Sequence, residues 1–466
     1  MKKMSFWTCM FMCIGSIIGA GIFARTPVVI RLVGNGLVWG FFLAAIFVFL
    51  KTIPEVICSS ALPANGSSYM HLTRLMHPGL GAIHAFNQLV LGTMNVAIMS
   101  LTFAEYFTIL VPSIPVVIVA IAVAVLFTVI STYGVKASST IQNVCVVILI
   151  IVLGIFIFGG IPNVSITLED VLMPSIRVTQ LWAAMGLLHG CLIGANVLMY
   201  AADEVDNPGR TIPITFIVST LICAALFAIV GFVALGVVPM EQWMDYSTNL
   251  ATAAGKFMSP QLLTLFIVGG PLLAVATSIN ALILMFSRSH FVAARDGLFP
   301  TVISKMNKHN APAVSIWLNS VIGILAIIAG FNLDEVVLMV SVPGLLMAPI
   351  IFFAVFFLPK KYPNCYKNSF LKIPHWVSCG VVIVASILSL VLGWSVVNRM
   401  TPRIWAAMIG FYVVAAIYTV VRRKYVKDKQ GIDIFENMRK PYEPWEKREK
   451  ELASISVTAN NAKTTT

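Results

Sequence analysis

The chain has 466 residues, 59% of them hydrophobic and only 11% charged, with a mean hydropathy of +0.91. A soluble domain carries about a quarter charged residues, so a soluble fold is excluded and the solvent for most of the chain is lipid. The net charge of +12 would point to nucleic acid in a soluble protein, but here the excess lies in loops and in the tail from Arg422 onward, and no nucleic-acid partner is expected.

A helix needs about 20 largely apolar residues to cross a bilayer, and the hydropathy pattern predicts an all-α polytopic membrane protein with about twelve of them. They fall at 6–32, 36–60, 80–111, 115–133, 138–161, 179–202, 211–237, 260–289, 313–331, 334–358, 373–397 and 402–421. Clusters such as Pro112-Ser113-Ile114-Pro115 and Asn207-Pro208-Gly209-Arg210 mark the short loops between them. The first apolar run has no small-residue cleavage site and reads as a span, not a signal peptide.

Lys2, Lys3, Arg74, Lys136, Arg210, Arg288, Arg295, Lys305, Lys308, Lys360, Lys361, Lys367 and Lys372 collect on one side together with the tail. The other side has only Arg31, Arg177, Lys256, Arg399 and Arg403. This asymmetry predicts a plasma-membrane protein with both termini cytoplasmic. The tail, Arg422 to Thr466, is polar and reads as solvated and partly disordered. Cys9, Cys13, Cys58, Cys145, Cys191, Cys223 and Cys379 sit in or beside apolar segments without metal-ligand spacing, so they read as small buried hydrophobes. No metal or cofactor is expected. With no phosphate loop, no His-Glu-x-x-His and no Gly-x-Ser-x-Gly, the chain does not read as an enzyme.

An internal echo organises the spans. The first holds Ser16-Ile17-Ile18-Gly19-Ala20-Gly21-Ile22-Phe23 and the sixth Cys191-Leu192-Ile193-Gly194-Ala195-Asn196-Val197-Leu198. The two words lie five spans apart, an odd number, so they cross in opposite directions. That is the pattern of a 5+5 inverted repeat whose helices 1 and 6 are broken at mid-membrane. The predicted organisation is an N-terminus over 1–5, a first repeat over 6–161, a second over 179–358, two peripheral helices over 373–421 and a tail over 422–466.

Glycine within a helix costs about 1 kcal/mol relative to alanine, so Gly15, Gly19 and Gly21 make unwinding easy. Unwound backbone at membrane depth is tolerated only where it lines a cavity. Freed N–H groups at the start of one half-helix suit a carboxylate, and freed carbonyls at the end of the other suit an ammonium or a cation. One broken helix thus offers both poles of a zwitterion, and a second break at Gly190 and Gly194 adds carbonyls on the amine side. The competing reading is close helix packing of the small-xxx-small kind; paired breaks at corresponding positions favour the functional one.

Four stretches resemble the amino acid/polyamine/organocation transporter superfamily. They are Gly15-Ser16-Ile17-Ile18-Gly19-Ala20-Gly21-Ile22-Phe23, Leu62-Pro63-Ala64-Asn65-Gly66-Ser67-Ser68-Tyr69, Asp203-Glu204-Val205-Asp206-Asn207-Pro208-Gly209-Arg210-Thr211-Ile212-Pro213, and Ser287-Arg288 with Ala294-Arg295-Asp296-Gly297-Leu298-Phe299-Pro300. The resemblance implies a secondary amino acid transporter working by alternating access between a moving bundle and a scaffold. It implies a substrate carboxylate on the N–H groups near Ala20 and Gly21, and an amine on carbonyls near Ser16, Ile17 and Cys191 to Ile193. Arg288, Arg295 and Asp296 would form an inner-face element that changes contacts during the cycle, with plain positive-inside anchoring as the rival. The chain departs from the family pattern at Asn196, where an acid is common, at Gly190, where an aromatic lid is common, and at Leu149, where proton-coupled relatives often carry lysine. These departures imply an exchanger or facilitator. With Gly190 small and Leu192, Ile193 and Leu198 apolar, the expected substrates are neutral amino acids. The alternatives are a polyamine or cationic amino acid antiporter and a non-transporting sensor.

Among polar residues in the spans, His189 is either a substrate or proton contact or a hydrogen-bonded structural histidine. Lys51 and Glu55, one turn apart, are expected to form an internal ion pair. Asn87, Ser278, Asn280 and Ser341 either line a cavity or bridge helices, and Ser341-Val342-Pro343-Gly344 is expected to interrupt the tenth span.

Overall fold

The computed structural model describes residues 4–64, 66–133, 139–174, 176–196, 198, 205–369 and 373–464. Lys2, Lys3, Lys136 and Lys372 of the charge count, and Asn65, Val197, Asp203 and Glu204 of the motifs, lie outside the described residues. Among the described residues the architecture is all-helical, and the only extended pairing is a single bridge between Met4 and Val205.

Twelve apolar helical segments follow in order: α1 (Phe6–Val33), α2 (Leu37–Ala61), α3 (Pro78–Leu110), α4 (Val116–Thr132), α5 (Ser139–Gly160), α6 (Val178–Leu192), α7 (Pro208–Val237), α8 (Pro260–Arg295, with a π turn at Val268–Leu272), α9 (Ala313–Ile328), α10 (Leu333–Leu346), α11 (His375–Val397) and α12 (Pro402–Gln430). All but α4 and α9 lie in stretches long and apolar enough to cross a membrane unaided. Local chemistry sets several ends. Ser5 accepts from the Thr8 N–H before α1, and Asn332 and Glu335 form a reciprocal capping box before α10. The tenth helix runs through Pro343 and breaks at Met347, a few residues later than predicted, before resuming as Ala348–Phe352 and Ala354–Lys361.

The helices sort into two groups. Helices α1, α2, α6 and α7 pack on one another, as do α3, α4, α8 and α9, and α1 lies against α8 where the groups meet. Each group takes two consecutive helices from the first five and their counterparts from the second five, the arrangement that a five-helix repeat produces. Burial distinguishes centre from edge: 78% of the apolar window of α3 is buried, against 17% in α12. The eleventh helix packs on α2, α6 and α10. Twelve crossings bring both ends of the described chain to one face, called here the terminal face.

The tail differs from the solvated segment expected. It forms α13 (Ile434–Arg439) and α14 (Glu443–Thr464), and it folds back on the terminal face. Gly431, at φ 68° in the left-handed region, ends α12, and Asp433 caps α13 by accepting from the Phe435 N–H. Ile434, Met438 and Trp445 are buried. The Trp445 indole stacks on His71 and donates to the Pro63 carbonyl at 2.8 Å. Glu449 accepts from the N–H groups of Asn364 and Cys365 and from the Asn364 amide, each within 2.9 Å. Average polarity concealed three apolar anchors with partners far away in sequence.

Candidate substrate site

The first helix loses helical geometry at Gly19 (φ −18°, ψ −157°). The sixth ends at Leu192 and tightens into a 3-10 turn over Ile193–Asn196. The two interruptions abut. A Cβ on Gly194 would stand 2.3 Å from the Ser16 carbonyl oxygen and 2.6 Å from the Ile17 nitrogen, so only glycine permits this approach. Cys191 donates its thiol to the Gly21 carbonyl at 3.3 Å, tying the helices together a turn further on.

Beside this junction lies a cavity of about 180 Å³, below the ~300–1,000 Å³ of sites for drug-sized ligands. Of the residues singled out by sequence, Ser16, Ile17, Gly21, His189, Gly190, Cys191, Ile193, Gly194 and Asn196 line it. Gly19 stands behind the wall, where an added Cβ would meet Ser278 Oγ at 2.1 Å. Leu192 and Leu198 turn into the apolar core, and the Ala20 side chain lies outside the described residues. Asn87, Ser278 and Ser341 line the cavity, whereas Asn280 instead accepts a hydrogen bond from Ser131 at 2.8 Å. The chamber lies where the sequence reading expects a solute, and its walls carry both polar and apolar side chains.

The sequence model for amino acid permeases matches residues 4–418. The chain belongs to that family. A branched-chain amino acid permease of Bacillus subtilis is 27% identical over 90% of this chain and 92% of its own length. A methylthioribose transporter of the same organism is 25% identical over 79% of this chain and 84% of its own. A vacuolar cationic amino acid transporter of Arabidopsis thaliana is 26% identical over 74% of this chain and 61% of its own. The permease is therefore a multi-pass membrane transporter of the amino acid class and not an enzyme.

Three polar features of the permease differ from the sequence reading. Arg25, one turn beyond Gly21, is 5% exposed and lines the cavity. Its Nη1 donates to the Leu187 carbonyl and to Ser341 Oγ, both at 2.9 Å. An arginine in mid-span is itself a sequence signal of a functional cavity. Lys51 and Glu55 do not pair. No ion pair joins them among the described residues; both side chains face the cavity, and Glu55 accepts from Asn196 Nδ2 at 3.2 Å. Helical spacing brought them to one face without requiring contact, because the cavity offers each a polar surface. His189 has the hydrogen bond of a structural histidine, Nδ1 donating to the Gly186 carbonyl at 2.6 Å with the ring edge to face with Phe47, and it also lines the cavity.

An ion pair joins helices near each face of the permease. On the terminal face, Asp296 is buried and accepts both forks of Arg74 at 2.6 and 2.8 Å together with the Tyr69 hydroxyl at 2.8 Å. The Asn437 amide of α13 donates to the Asp296 carbonyl. Arg288 and Arg295 are exposed beside it, and the Arg295 guanidinium lies over Phe291. On the opposite face, Arg31 at the end of α1 meets Asp334 at the start of α10 at 2.7 Å. Asp296 stands in a sequence motif and Arg74 only in the charge count, and nothing in the sequence pairs residues 222 positions apart.

Proposed function

We propose that the permease moves amino acids by alternating access, as an exchanger or facilitator, with its terminal face in the cytoplasm of a plasma-membrane protein. The observation that carries this reading is the contact between the two helix interruptions, Ser16 against Gly194, at the wall of a polar cavity. Backbone N–H groups near Ala20 and Gly21 receive the α-carboxylate, and carbonyls of Ser16, Ile17 and the stretch from Cys191 to Ile193 receive the ammonium. The group α1, α2, α6 and α7 rocks against α3, α4, α8 and α9, and the Arg74–Asp296 and Arg31–Asp334 pairs break in alternation. The 5+5 repeat, 6–161 and 179–358, supplies the two members of each group.

Of the residues behind the expectation of a neutral side chain, Gly190 and Ile193 line the cavity and Leu192 and Leu198 do not, while Arg25 and Lys51 add charge to the wall. The same two cations weigh against cationic substrates and polyamines. Purified permease in liposomes, given a panel of radiolabelled amino acids with and without the same solutes inside, tests the proposal. Uptake that requires preloading marks an exchanger and uptake into empty vesicles a facilitator. Binding without flux would replace transport with sensing, and absence of both would refute the site.

A further inference from the structure

The charge on the cavity wall carries the substrate class further. Its ionisable lining consists of Arg25, Lys51, Glu55, His84 and His189. Both histidines have partners suited to neutral imidazoles: His189 donates to Gly186, and the Gln88 amide meets His84 Nε2 at 3.1 Å. With Arg25, Lys51 and Glu55 in their ionised forms, the wall holds two cations and one carboxylate. Glu55 is engaged by the Asn196 amide. Arg25 spends only Nη1 on protein acceptors, and no carboxylate pairs with it among the described residues. Lys51 is 6% exposed, and among the described residues no ion pair holds it, although it feels the charge of Glu55 one turn along α2. An uncompensated cation closed inside a membrane protein is strongly unfavourable, so an occluded state holding a neutral zwitterion would keep one positive charge unmatched.

Steric detail shows that the guanidinium has a made place. A Cβ on Gly190 would lie 2.6 Å from Arg25 Cζ and 2.7 and 2.8 Å from its terminal nitrogens. The bare glycine is the slot into which the guanidinium fits, and Leu187 and Ser341 hold it there. A fork so positioned suits a carboxylate, which it can bind with two parallel hydrogen bonds.

We propose that the permease selects amino acids bearing a second carboxylate, of the aspartate and glutamate type, with the side-chain carboxylate received by Arg25 and Lys51. This rests on the reading of the cavity as an amino acid site. A monoanionic substrate brings the closed chamber to neutrality, while the α-carboxylate and ammonium are left to the broken helices.

Liposome uptake of labelled L-glutamate, L-aspartate, L-leucine and L-lysine by the full chain tests this, with Lys51→Met as the variant. The wild type is expected to take up the acidic pair with at least tenfold higher kcat/KM than leucine. Lys51→Met leaves Arg25 and Glu55 as a balanced pair, so the ratio of acidic to leucine kcat/KM should fall at least tenfold; an unchanged ratio in a variant that still transports overturns the role of Lys51. A misfolded variant would lose both, and the wild-type competition of unlabelled glutamate against labelled leucine decides the matter without any variant. Leucine or lysine transported in preference to glutamate overturns the acidic class while leaving the transport site intact. Neither flux nor binding of any amino acid overturns the site itself.

Discussion

Gly194→Ala isolates the contact on which the site depends. The new Cβ would stand 2.3 Å from the Ser16 oxygen, 2.5 Å from its carbonyl carbon and 2.6 Å from the Ile17 nitrogen. All three are backbone atoms, so no side-chain rotation relieves them. Reaching an ordinary separation of 3.4 Å requires the α6 turn and α1 to part by about 1 Å. Overpacking of this kind costs about 1–3 kcal/mol, and when that cost falls on the closed substrate-bound state it weakens apparent affinity roughly 5- to 150-fold. Gly380→Ala in α11 and Gly410→Ala in α12 are the controls. Nothing lies within 4 Å of a Cβ at either position, and removing a mid-helix glycine there should add about 1 kcal/mol of stability. Saturation uptake in liposomes and melting in detergent are measured for all three. A Gly194→Ala protein with wild-type KM and a melting temperature matching the controls would refute the claim that the two interruptions meet.

Gly19→Ala should impair uptake through a side chain, since the nearest atom to its Cβ is Ser278 Oγ at 2.1 Å; adding Ser278→Ala, which removes that atom, should recover much of the loss in the same uptake assay. Asp296→Asn leaves buried Arg74 without its counter-charge, and breaking a buried pair in this way costs about 3–5 kcal/mol; hydrogen exchange over 67–76 should quicken markedly, and unchanged exchange would remove Asp296 from the terminal-face lock. Burial alone would raise the Glu449 carboxyl, but N–H donors from Asn364 and Cys365 outweigh it and hold it below its ordinary value of 4.5. A lowered carboxylate stabilises docking at every pH above that value and ceases to do so as pH falls through the folded one. Exchange protection of 443–449 should thus persist at pH 7 and weaken only in acid, and Glu449→Gln should weaken it at pH 7 and flatten its pH dependence.

The spans and both interruptions could be read from the sequence because each is local: twenty apolar residues declare a crossing, and glycines clustered at mid-span declare a break. The walls of the cavity were only half legible. Ser16, Ile17, His189, Gly190, Cys191, Ile193, Gly194 and Asn196 line it beside the interruptions, so position along the helix sufficed. Arg25 escaped notice because its partners, Leu187 and Ser341, lie 162 and 316 positions away. Lys51 and Glu55 misled for a related reason: spacing of one turn says which groups share a face, but only the chamber opposite that face decides whether they turn to each other. Docking of the tail was hidden likewise, since Trp445 finds Pro63 across 382 positions.

The two ion-pair closures are unequal, and the inequality has a kinetic consequence. Arg74 and Asp296 have side chains only 8% and 10% exposed, and the pair is bidentate and reinforced by Tyr69 and by the tail. Arg31 and Asp334 are 11% and 24% exposed, and their pair rests on a single contact. In the alternating cycle proposed above, the door away from the termini is expected to yield first, so that an empty carrier waits open to that side and crossing to the other orientation is the slow half. Shortening the tail should relieve that half alone, speeding turnover while leaving the first encounter with solute untouched.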